Sequence, residues 1–436
     1  MAVLRVGFAS ADITPSVGTP LGGYLARPQF EAQGVHDPLF AKAIAISDGS
    51  QLVLLYSLDL LGFTPARSAA LSQAVATACS LEPEQIVLAC THTHSGPNTL
   101  PLRGIPDVDE SYFEQLAQRM QEAGKEALAA LRPATMQVAL GRSHVGVNRR
   151  SPVGQSINLR ENPQGVYDDA LLVLRFLDIC DDKLLGVVTC YGCHLTALGP
   201  KNMLISAEWA GLAMNSLQQQ LGCLCLFLNG AFGNVNPRNR DETWSRTEEI
   251  AETFAQDCLA TLAEAHEEES TPVSLERMVV QLPLAPLAPE DEIHRLRLEA
   301  SSILSGPPVD EASRRVAEVR RQYADAVERR RIACEVEESR PVELVGLRLG
   351  KVAFVGMPGE VFAEYAIWLR GDSPFPYTMV LGNVGADLGY FPTETAFAEG
   401  GYEPMSYIYF CEQGYASAIE STLLSGARDI LRRLLG

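Results

Sequence analysis

Two histidines separated by one residue, His92 and His94, lie in the segment CTHTHSGP at positions 90–97. The apolar run IVLAC precedes this segment and a Ser-Gly-Pro-Asn loop signal follows, so the pair lies where a strand opens into a loop. Alternate residues of an extended chain point to the same side, so both imidazoles are able to face one pocket. This pattern suits metal binding or proton transfer, and it is equally compatible with a hydrogen-bonded structural pair.

A third histidine, His194, ends an apolar run in TCYGCHLT. Cys190, Cys193 and His194 have the spacing of a covalent haem attachment site, but no secretion signal accompanies them and the pattern ends a strand. A redox Cys-x-x-Cys pair is a second option, although the motif does not open a helix. The third option is that His194 binds a metal and the cysteines are core residues.

Acidic and phenolic candidates come later in the chain. Glu360, in GMPGEVFAEYA, follows a strand and a Pro-Gly turn and is predicted to lie in the first turn of a helix, where a carboxylate either complements the helix dipole or belongs to a site. The polar, glycine-rich stretch at 382–404 carries Asp387, Tyr390 and Tyr402. Long loops of this kind are usually functional or disordered, and the aromatic residues favour function.

The glycine-rich segment FLNGAFGNVNPRNR at 227–240 follows an apolar run, which is where a phosphate loop would lie. It lacks the Gly-Lys-Ser/Thr ending and the spacing of a dinucleotide motif, which argues against a nucleotide site. Its asparagines at 229, 234 and 236 are instead able to supply amide donors and left-handed turns beside a polar site.

Short apolar runs alternate with amphipathic segments, which predicts an α/β fold with a layered mixed β-sheet. Helices are predicted at about 65–79, 109–131, 207–219, 244–265 and 412–435. The stretch from Pro286 to Pro341 is charge-rich and is broken by SGPP at 305–308, which predicts an exposed helical hairpin with Asp310 as a cap. We therefore predict a single catalytic domain over residues 1–436 with a helical insertion at about 286–341.

Composition limits the partners. The 436 residues include 35 Lys+Arg and 54 Asp+Glu, and the resulting net charge of −19 argues against nucleic-acid binding. The apolar runs are far shorter than the ~18 residues of a membrane span, which predicts no stable membrane insertion. The N-terminus does not resemble a signal peptide, and the ten cysteines show no disulfide framework. We therefore predict a cytoplasmic protein with reduced thiols; the sequence carries no signal for an oligomeric state.

Taken together, the motifs VGFASADITP, THTHSGP, VNRRSP, CYGCH, NGAFGNVNP, MPGEVFAEYA and GNVGADLGYFPT resemble, in this order, the catalytic domain of the neutral/alkaline non-lysosomal ceramidases. The resemblance runs from about residue 4 to beyond residue 400, and THTHSGP is its most specific element. It implies a zinc ion held by two histidines, a glutamate and a tyrosine, which correspond to His92, His194, Glu360 and Tyr390, with Tyr402 as the alternative to the last.

The resemblance also implies two further catalytic residues: His94, close to the substrate carbonyl, and Arg149 of VNRRSP, which matches a site arginine. The implied ligand set is typical of a catalytic zinc site, because its members come from distant segments and are not mainly cysteines. Zinc would lower the pKa of a bound water towards about 7 and polarise a carbonyl. His94 would then transfer a proton or stabilise an oxyanion.

Departures from the family affect the predicted substrate. The position of a serine that ceramidases need for amide cleavage aligns with Gly230, and Asn234 replaces an acidic residue. We expect Asn229, Gly230 and Asn234 to contact substrate, and no β-rich C-terminal domain. The predicted function is zinc-dependent hydrolysis of an amide or ester of a small soluble molecule rather than ceramide. The alternatives are zinc-dependent cyclisation or acyl transfer, and an inactive ligand-binding relative.

Overall fold

The computed structural model describes residues 3–268, 271–307 and 309–436. The strands of this part of the chain are β1 (Arg5–Asp12), β2 (Gly34–Val35), β3 (Phe40–Ser47), β4 (Leu52–Leu58), β5 (Ile86–Cys90), β6 (Arg132–Arg142), β7 (Gly146–Val153), β8 (Ser156–Asn162), β9 (Ala170–Asp178), β10 (Leu184–Tyr191), β11 (Leu204–Ile205), β12 (Leu224–Asn229), β13 (Val235–Pro237), β14 (His266–Glu267), β15 (Val273–Pro283), β16 (Ser339–Leu349), β17 (Val352–Gly356), β18 (Glu360–Val361), β19 (Tyr377–Leu381) and β20 (Tyr390–Phe391).

Its α-helices are α1 (Pro65–Cys79), α2 (Glu110–Ala129), α3 (Glu208–Leu221), α4 (Trp244–Ala263), α5 (Glu290–Ser305), α6 (Glu311–Ile332), α7 (Ala363–Asp372), α8 (Glu394–Glu399), α9 (Tyr402–Met405) and α10 (Ile419–Arg433). Within these residues, no helix combines the length and the apolar character that a membrane crossing needs.

The main sheet has the order β12-β10-β9-β6-β1-β3-β4-β5, and β14 pairs with β6. It is mixed: β10 pairs with β12 and β4 with β5 in parallel, while the neighbours between them are antiparallel. A second sheet has the order β15-β16-β17-β19. One buried cluster contains side chains from both sheets, including Val6, Leu174, Leu347 and Phe354, so the sheets pack face to face.

Helices cover the outer faces of both sheets. Helices α1 and α2 pack on β3–β5, and α3 and α4 pack on β9, β10 and β12. Helices α7 and α10 cover the second sheet. The result is a layered α/β fold, as the alternation of apolar runs predicts, and it confirms the predicted fold class.

The helices α5 and α6 lie between β15 and β16, which pair in antiparallel register from Val273↔Leu349 to Pro283↔Ser339. Asp310 caps α6 by accepting a hydrogen bond from the Ser313 N–H at 2.9 Å. Pro308, in the predicted break between the two helices, lies outside the described residues. Arg315 of α6 donates to the carbonyls of Leu25 and Arg27, so this helix packs against the loop that precedes β2.

Candidate functional site

The loops that follow β5 and β10 meet beside the second sheet. Thr93 forms an isolated parallel bridge with Leu195, and the His94 N–H donates to the Leu195 carbonyl at 3.3 Å. Three imidazoles gather there: the ring centroids of His92 and His94 are 4.9 Å apart, those of His92 and His194 5.3 Å, and those of His94 and His194 5.8 Å. The bridge therefore explains why histidines about a hundred positions apart form one cluster.

The chain turns at His92 instead of continuing as a strand. β5 ends at Cys90, and His92 has a φ of 67°, in the left-handed region. The expectation that an extended chain aims both imidazoles to one side is therefore wrong in its reason, although His92 and His94 do line the same cavity. A non-glycine residue in this region costs about 1–3 kcal/mol, and such strain is concentrated at functional sites.

Glu360 reaches the cluster from a short strand rather than from a helix. It begins β18, whereas α7 starts at Ala363, which corrects the prediction that Glu360 lies in the first helical turn. β18 pairs in parallel with β20, and Glu360 is the register partner of Tyr390. Glu360 Oε2 lies 2.9 Å from His194 Nε2 and 3.5 Å from His92 Nε2.

Carbonyl neighbours determine which ring nitrogens carry a proton. His92 Nδ1 lies 2.7 Å from the Leu61 carbonyl oxygen, and His194 Nδ1 lies 2.9 Å from that of Phe232. Because a carbonyl oxygen only accepts, Nδ1 is the protonated nitrogen of His194, which faces two carbonyls. The Leu61 contact favours the same tautomer for His92, where the Asn383 amide nitrogen also lies 2.7 Å from Nδ1, and in this tautomer of the neutral ring Nε2 keeps a lone pair. Both lone pairs face the Glu360 carboxylate, and the buried His92 Nε2 has no hydrogen-bond partner among the described residues. This donor set fits a cation between the three groups.

Burial and close neighbours shift the pKa of each member of the cluster. Burial opposes an imidazolium at His92, but the adjacent Glu360 carboxylate outweighs it and raises the pKa of His92. Burial and the neighbouring imidazoles lower the pKa of His94 well below its usual value, and burial with the nearby Arg149 lowers that of His194 to about 4. Burial alone would raise the pKa of Glu360, but His92 and His194 hold it below its usual range. Neutral imidazoles and ionised carboxylates are the forms that bind metals.

Asp387 of the predicted functional loop is a further candidate ligand, outside the ligand set that the family resemblance implies. Ligand atoms of His92, Glu360 and Asp387 lie within 4.8 Å of one another, as do those of the three histidines. Asp387 Oδ2 is 3.7 Å from His92 Nδ1, and the Gly389 N–H donates to Oδ1 at 2.9 Å. Burial and the charge of Glu360 raise the pKa of Asp387 to about 7. Its position three residues before Tyr390, in the same predicted functional loop, was the available signal.

Arg149 lies between the imidazoles and two tyrosines. Its guanidinium carbon is 5.2 Å from the ring centroid of Tyr390 and 6.0 Å from that of Tyr402, and its Nη1 is 3.1 Å from His194 Nε2. Nη2 is buried and has no hydrogen-bond partner in the described part of the chain. Tyr390 is 7% exposed and Tyr402 38%, and the ring of Tyr402 packs edge-on against Tyr390.

The predicted substrate contacts of the 227–240 segment lie elsewhere. Asn229 donates from its amide to the Thr91 carbonyl at 2.8 Å and accepts from the Cys193 N–H at 3.2 Å. Asn234 donates to Glu364 and accepts from the N–H of residue 363. At Gly230, a Cβ atom would lie 2.9 Å from the backbone nitrogen of residue 192. The described residues that line the cavity include none of these three, whereas Asn236 does line it.

The cysteines beside His194 belong to the core. Cys190 and Cys193 are free and buried, and burial raises the pKa of both thiols. A redox pair needs the opposite shift, so the structure favours the core assignment for these cysteines.

A cavity of about 320 Å³ opens over the cluster. Its apolar wall combines Leu100, Leu102 and Ile105 with Val316 of α6, and its polar wall includes Thr196, Asn236 and Arg240. The lining residues are Gly23, Tyr24, Leu25, Ala26, Leu61, His92, His94, Leu100, Leu102, Arg103, Ile105, Arg149, Leu159, Thr196, Asn236, Arg240, Val316, Glu360, Asp387, Tyr390, Tyr402, Tyr409 and Phe410.

Comparisons of the sequence with known proteins identify the family. The sequence model described as neutral/alkaline non-lysosomal ceramidase, N-terminal, matches residues 4–272. The neutral ceramidase of Pseudomonas aeruginosa is 25% identical over 252 residues, which span 53% of this chain and 37% of that protein.

Two solved structures share the fold. The crystal structure of neutral ceramidase from Pseudomonas aeruginosa superimposes with a TM-score of 0.76 at 19% identity, covering 100% of this chain and 75% of that chain. A ceramidase complexed with C2 gives a TM-score of 0.76 at 18% identity, covering 100% and 76%. Because the family model matches more than half of the residues, the chain belongs to the neutral/alkaline non-lysosomal ceramidase family.

Proposed function

We propose that the chain is a zinc-dependent hydrolase of a carbon–nitrogen amide bond. The observation that carries this proposal is the convergence of three acceptors: the Nε2 lone pairs of His92 and His194 face the Glu360 carboxylate, with the nearest pair of atoms 2.9 Å apart. Acceptors this close repel one another unless a cation or a proton lies between them. Family membership supports the same class of reaction.

His92, His194 and Glu360 would hold the metal, and the register pairing of Tyr390 with Glu360 makes Tyr390 a better fourth ligand than Tyr402. When bound, zinc supplies an activated water at neutral pH and Lewis-acid polarisation of the carbonyl. Nitrogen and oxygen donors without cysteine are typical of catalytic rather than structural zinc. Asp387 lies behind His92 and adds negative charge that favours a bound cation.

The remaining steps belong to residues of the chain. His94 is buried, and both of its ring nitrogens are without hydrogen-bond partners among the described residues, so it would be available to accept a proton and pass it to the leaving amine. Arg149 Nη2 is a free charged donor at the cavity wall and would bind the carbonyl oxygen as negative charge develops on it. The apolar wall excludes water and holds the acyl group.

The cavity supports a small substrate. Ligand pockets span roughly 300–1,000 Å³, so a cavity of about 320 Å³ lies at the lower end of this range. The polar wall, with Thr196, Asn236 and Arg240, suits a soluble amide more than a substrate with two long chains. We propose a short N-acyl compound as substrate, cleaved without the serine that Gly230 replaces. The amides of Asn229 and Asn234 then act by holding the loops of the site.

Metal analysis of the purified protein tests the proposal. We expect about one equivalent of zinc, lost in the double substitution His92→Ala/His194→Ala and retained in the matched control His144→Ala/His294→Ala, which removes two exposed histidines. Equal zinc content in both double variants would contradict the proposed site.

Activity is then measured on 4-nitroanilides with acyl groups from acetyl to octanoyl and on a hexanoyl ceramide. We expect the short anilides to be cleaved, with ¹⁸O from labelled water in the released acid. Release of 4-nitroaniline without incorporation of ¹⁸O would favour cyclisation or acyl transfer, and a zinc-loaded protein inactive on the whole panel would favour a ligand-binding relative.

A further inference from the structure

A buried carboxylate behind the site joins two consecutive arginines. Glu403 of α9 is 2% exposed; its Oε1 accepts from Arg149 Nε at 2.9 Å and its Oε2 from Arg150 Nη1 at 2.5 Å. Arg150 also binds Glu399 at 3.2 Å and donates to the carbonyl of Gly400 at 2.8 Å. Arg149 lines the cavity, whereas Arg150 is not among the described residues that do.

Arg149 is held on several sides and leaves one nitrogen free. Glu403 occupies Nε, the Asn236 side chain accepts from Nη1 at 3.3 Å, and the ring of Tyr390 lies 5.2 Å from the guanidinium carbon. Nη2 is the terminal nitrogen for which the described residues supply no partner. Because a guanidinium is rigid and planar, the bond to Nε also determines the direction of Nη2.

We propose that Glu403 is a positioning residue that orients Arg149 towards the substrate carbonyl; this inference rests on the proposed hydrolase function. One carboxylate serves two buried guanidinium groups, so its loss leaves adjacent cations without their shared counter-charge. Glu360 lines the same cavity and its charge already acts on Arg149, so it is a carboxylate to which Arg149 could then turn. Such a turn would withdraw Nη2 from the carbonyl and place a cation beside the proposed zinc ligands.

The experiment compares two glutamines introduced in the same segment. Glu403→Gln removes the carboxylate shared by both arginines, and Glu399→Gln removes one that binds Arg150 alone. On hexanoyl-4-nitroanilide we expect Glu403→Gln to lower kcat about 10- to 100-fold, the range for a group displaced by about 1 Å, with KM changed less than threefold. Glu399→Gln should retain kcat within twofold. Equal losses in both variants would overturn the assignment.

A double-mutant cycle separates positioning from folding. In an Arg149→Ala background, Glu403→Gln should cause no further loss of kcat, because the residue through which it acts is already absent. A loss of the same size in both backgrounds would show a purely structural role. If the glutamine variant fails to fold, Glu403→Asp replaces it, because it keeps the negative charge. Its carboxylate is one methylene further from Arg149, so we expect an intermediate kcat. Wild-type kcat in a folded Glu403→Asp or Glu403→Gln variant would refute the inference.

A second readout does not depend on turnover. The Nε–H of Arg149, assigned with an Arg149→Lys variant, should give a slowly exchanging ¹⁵N NMR signal in the wild type and in Glu399→Gln but not in Glu403→Gln. If the wild type cleaves none of the amides, the proposed function fails. The NMR comparison then still decides whether Glu403 immobilises Arg149, and an unchanged signal in Glu403→Gln would refute the inference.

Discussion

Gly23 packs directly against the proposed proton-transfer residue, and its substitution by alanine gives a test whose size follows from the geometry. Gly23 has a φ of 82°, and a Cβ atom placed on it would lie 2.4 Å from His94 Nδ1 and 2.6 Å from its Cγ. Ordinary contacts begin near 3.4 Å, so the imidazole must move by about 1 Å. Displacements of that size cost about 10²-fold in rate.

The variant also changes stability. A residue with a Cβ in the left-handed region costs about 1–2 kcal/mol, and overpacking adds about 1–3 kcal/mol. We therefore expect Gly23→Ala to lower the free energy of unfolding by about 2–5 kcal/mol and kcat by about 100-fold, with zinc content unchanged because His94 is not among the proposed ligands. Urea unfolding, metal analysis and kinetics on hexanoyl-4-nitroanilide measure the three quantities.

Gly18→Ala is the matched control. Gly18 has a φ of 96°, and a Cβ atom there would meet no atom within 4 Å. This variant has the same kind of backbone strain without the contact to His94, so we expect a loss of about 1–2 kcal/mol in stability and wild-type kcat. The reasoning is refuted if the two variants lose equal activity, or if folded Gly23→Ala retains wild-type kcat.

Three further predictions concern stability, metal affinity and substrate size. Burial alone would raise the pKa of Asp48, but hydrogen bonds from Val273 and the β3–β4 turn lower it to about 2. The ionised carboxylate therefore stabilises the fold above pH ~4, and this contribution is lost as the pH falls towards ~2. Urea unfolding should show Asp48→Asn less stable by about 2 kcal/mol at pH 7 and equal to the wild type near pH 2; a constant difference would contradict the assignment. Asp387→Asn should weaken zinc binding 10- to 100-fold in a chelator competition, because it removes a carboxylate 3.7 Å from His92, and unchanged affinity would exclude this role. Val316→Trp should raise KM for octanoyl-4-nitroanilide more than for the acetyl compound, because Val316 lines the apolar wall; equal effects on both would remove it from the acyl site.

Local pattern was sufficient for much of the architecture. The predicted helix at 65–79 coincides with α1, and the runs at 86–91, 171–177 and 377–382 lie on β5, β9 and β19. Their apolar residues are continuous or periodic, and a chain must bury such a face against another layer. The same pattern missed the hairpin of β7 and β8, because the run VNRRSPV is polar and its strands pair with each other at the edge of the site.

Residue type and position along the chain also marked His92, His194 and Glu360 as candidates, because each follows a recognisable apolar run, and the family resemblance implied their role as ligands. Their relation to one another was not accessible in this way. The left-handed turn at His92 and the pairing of Glu360 with Tyr390 depend on segments that meet only after folding. The amide of Asn229 is likewise used by the Thr91 and Cys193 backbone, which no local signal indicates.

The sequence by itself therefore determined most of the strands and helices, the family resemblance and the kinds of side chain available for chemistry, because these follow from periodicity and residue type over short segments. Only the tertiary structure decided that Asp387 joins the histidine cluster, that Asn229 and Asn234 hold loops, and that Glu403 binds Arg149. The physical reason is that metal affinity, pKa and hydrogen bonding depend on distances of a few ångströms between residues far apart in the chain. Such distances are set by sheet register and packing, which no single segment encodes.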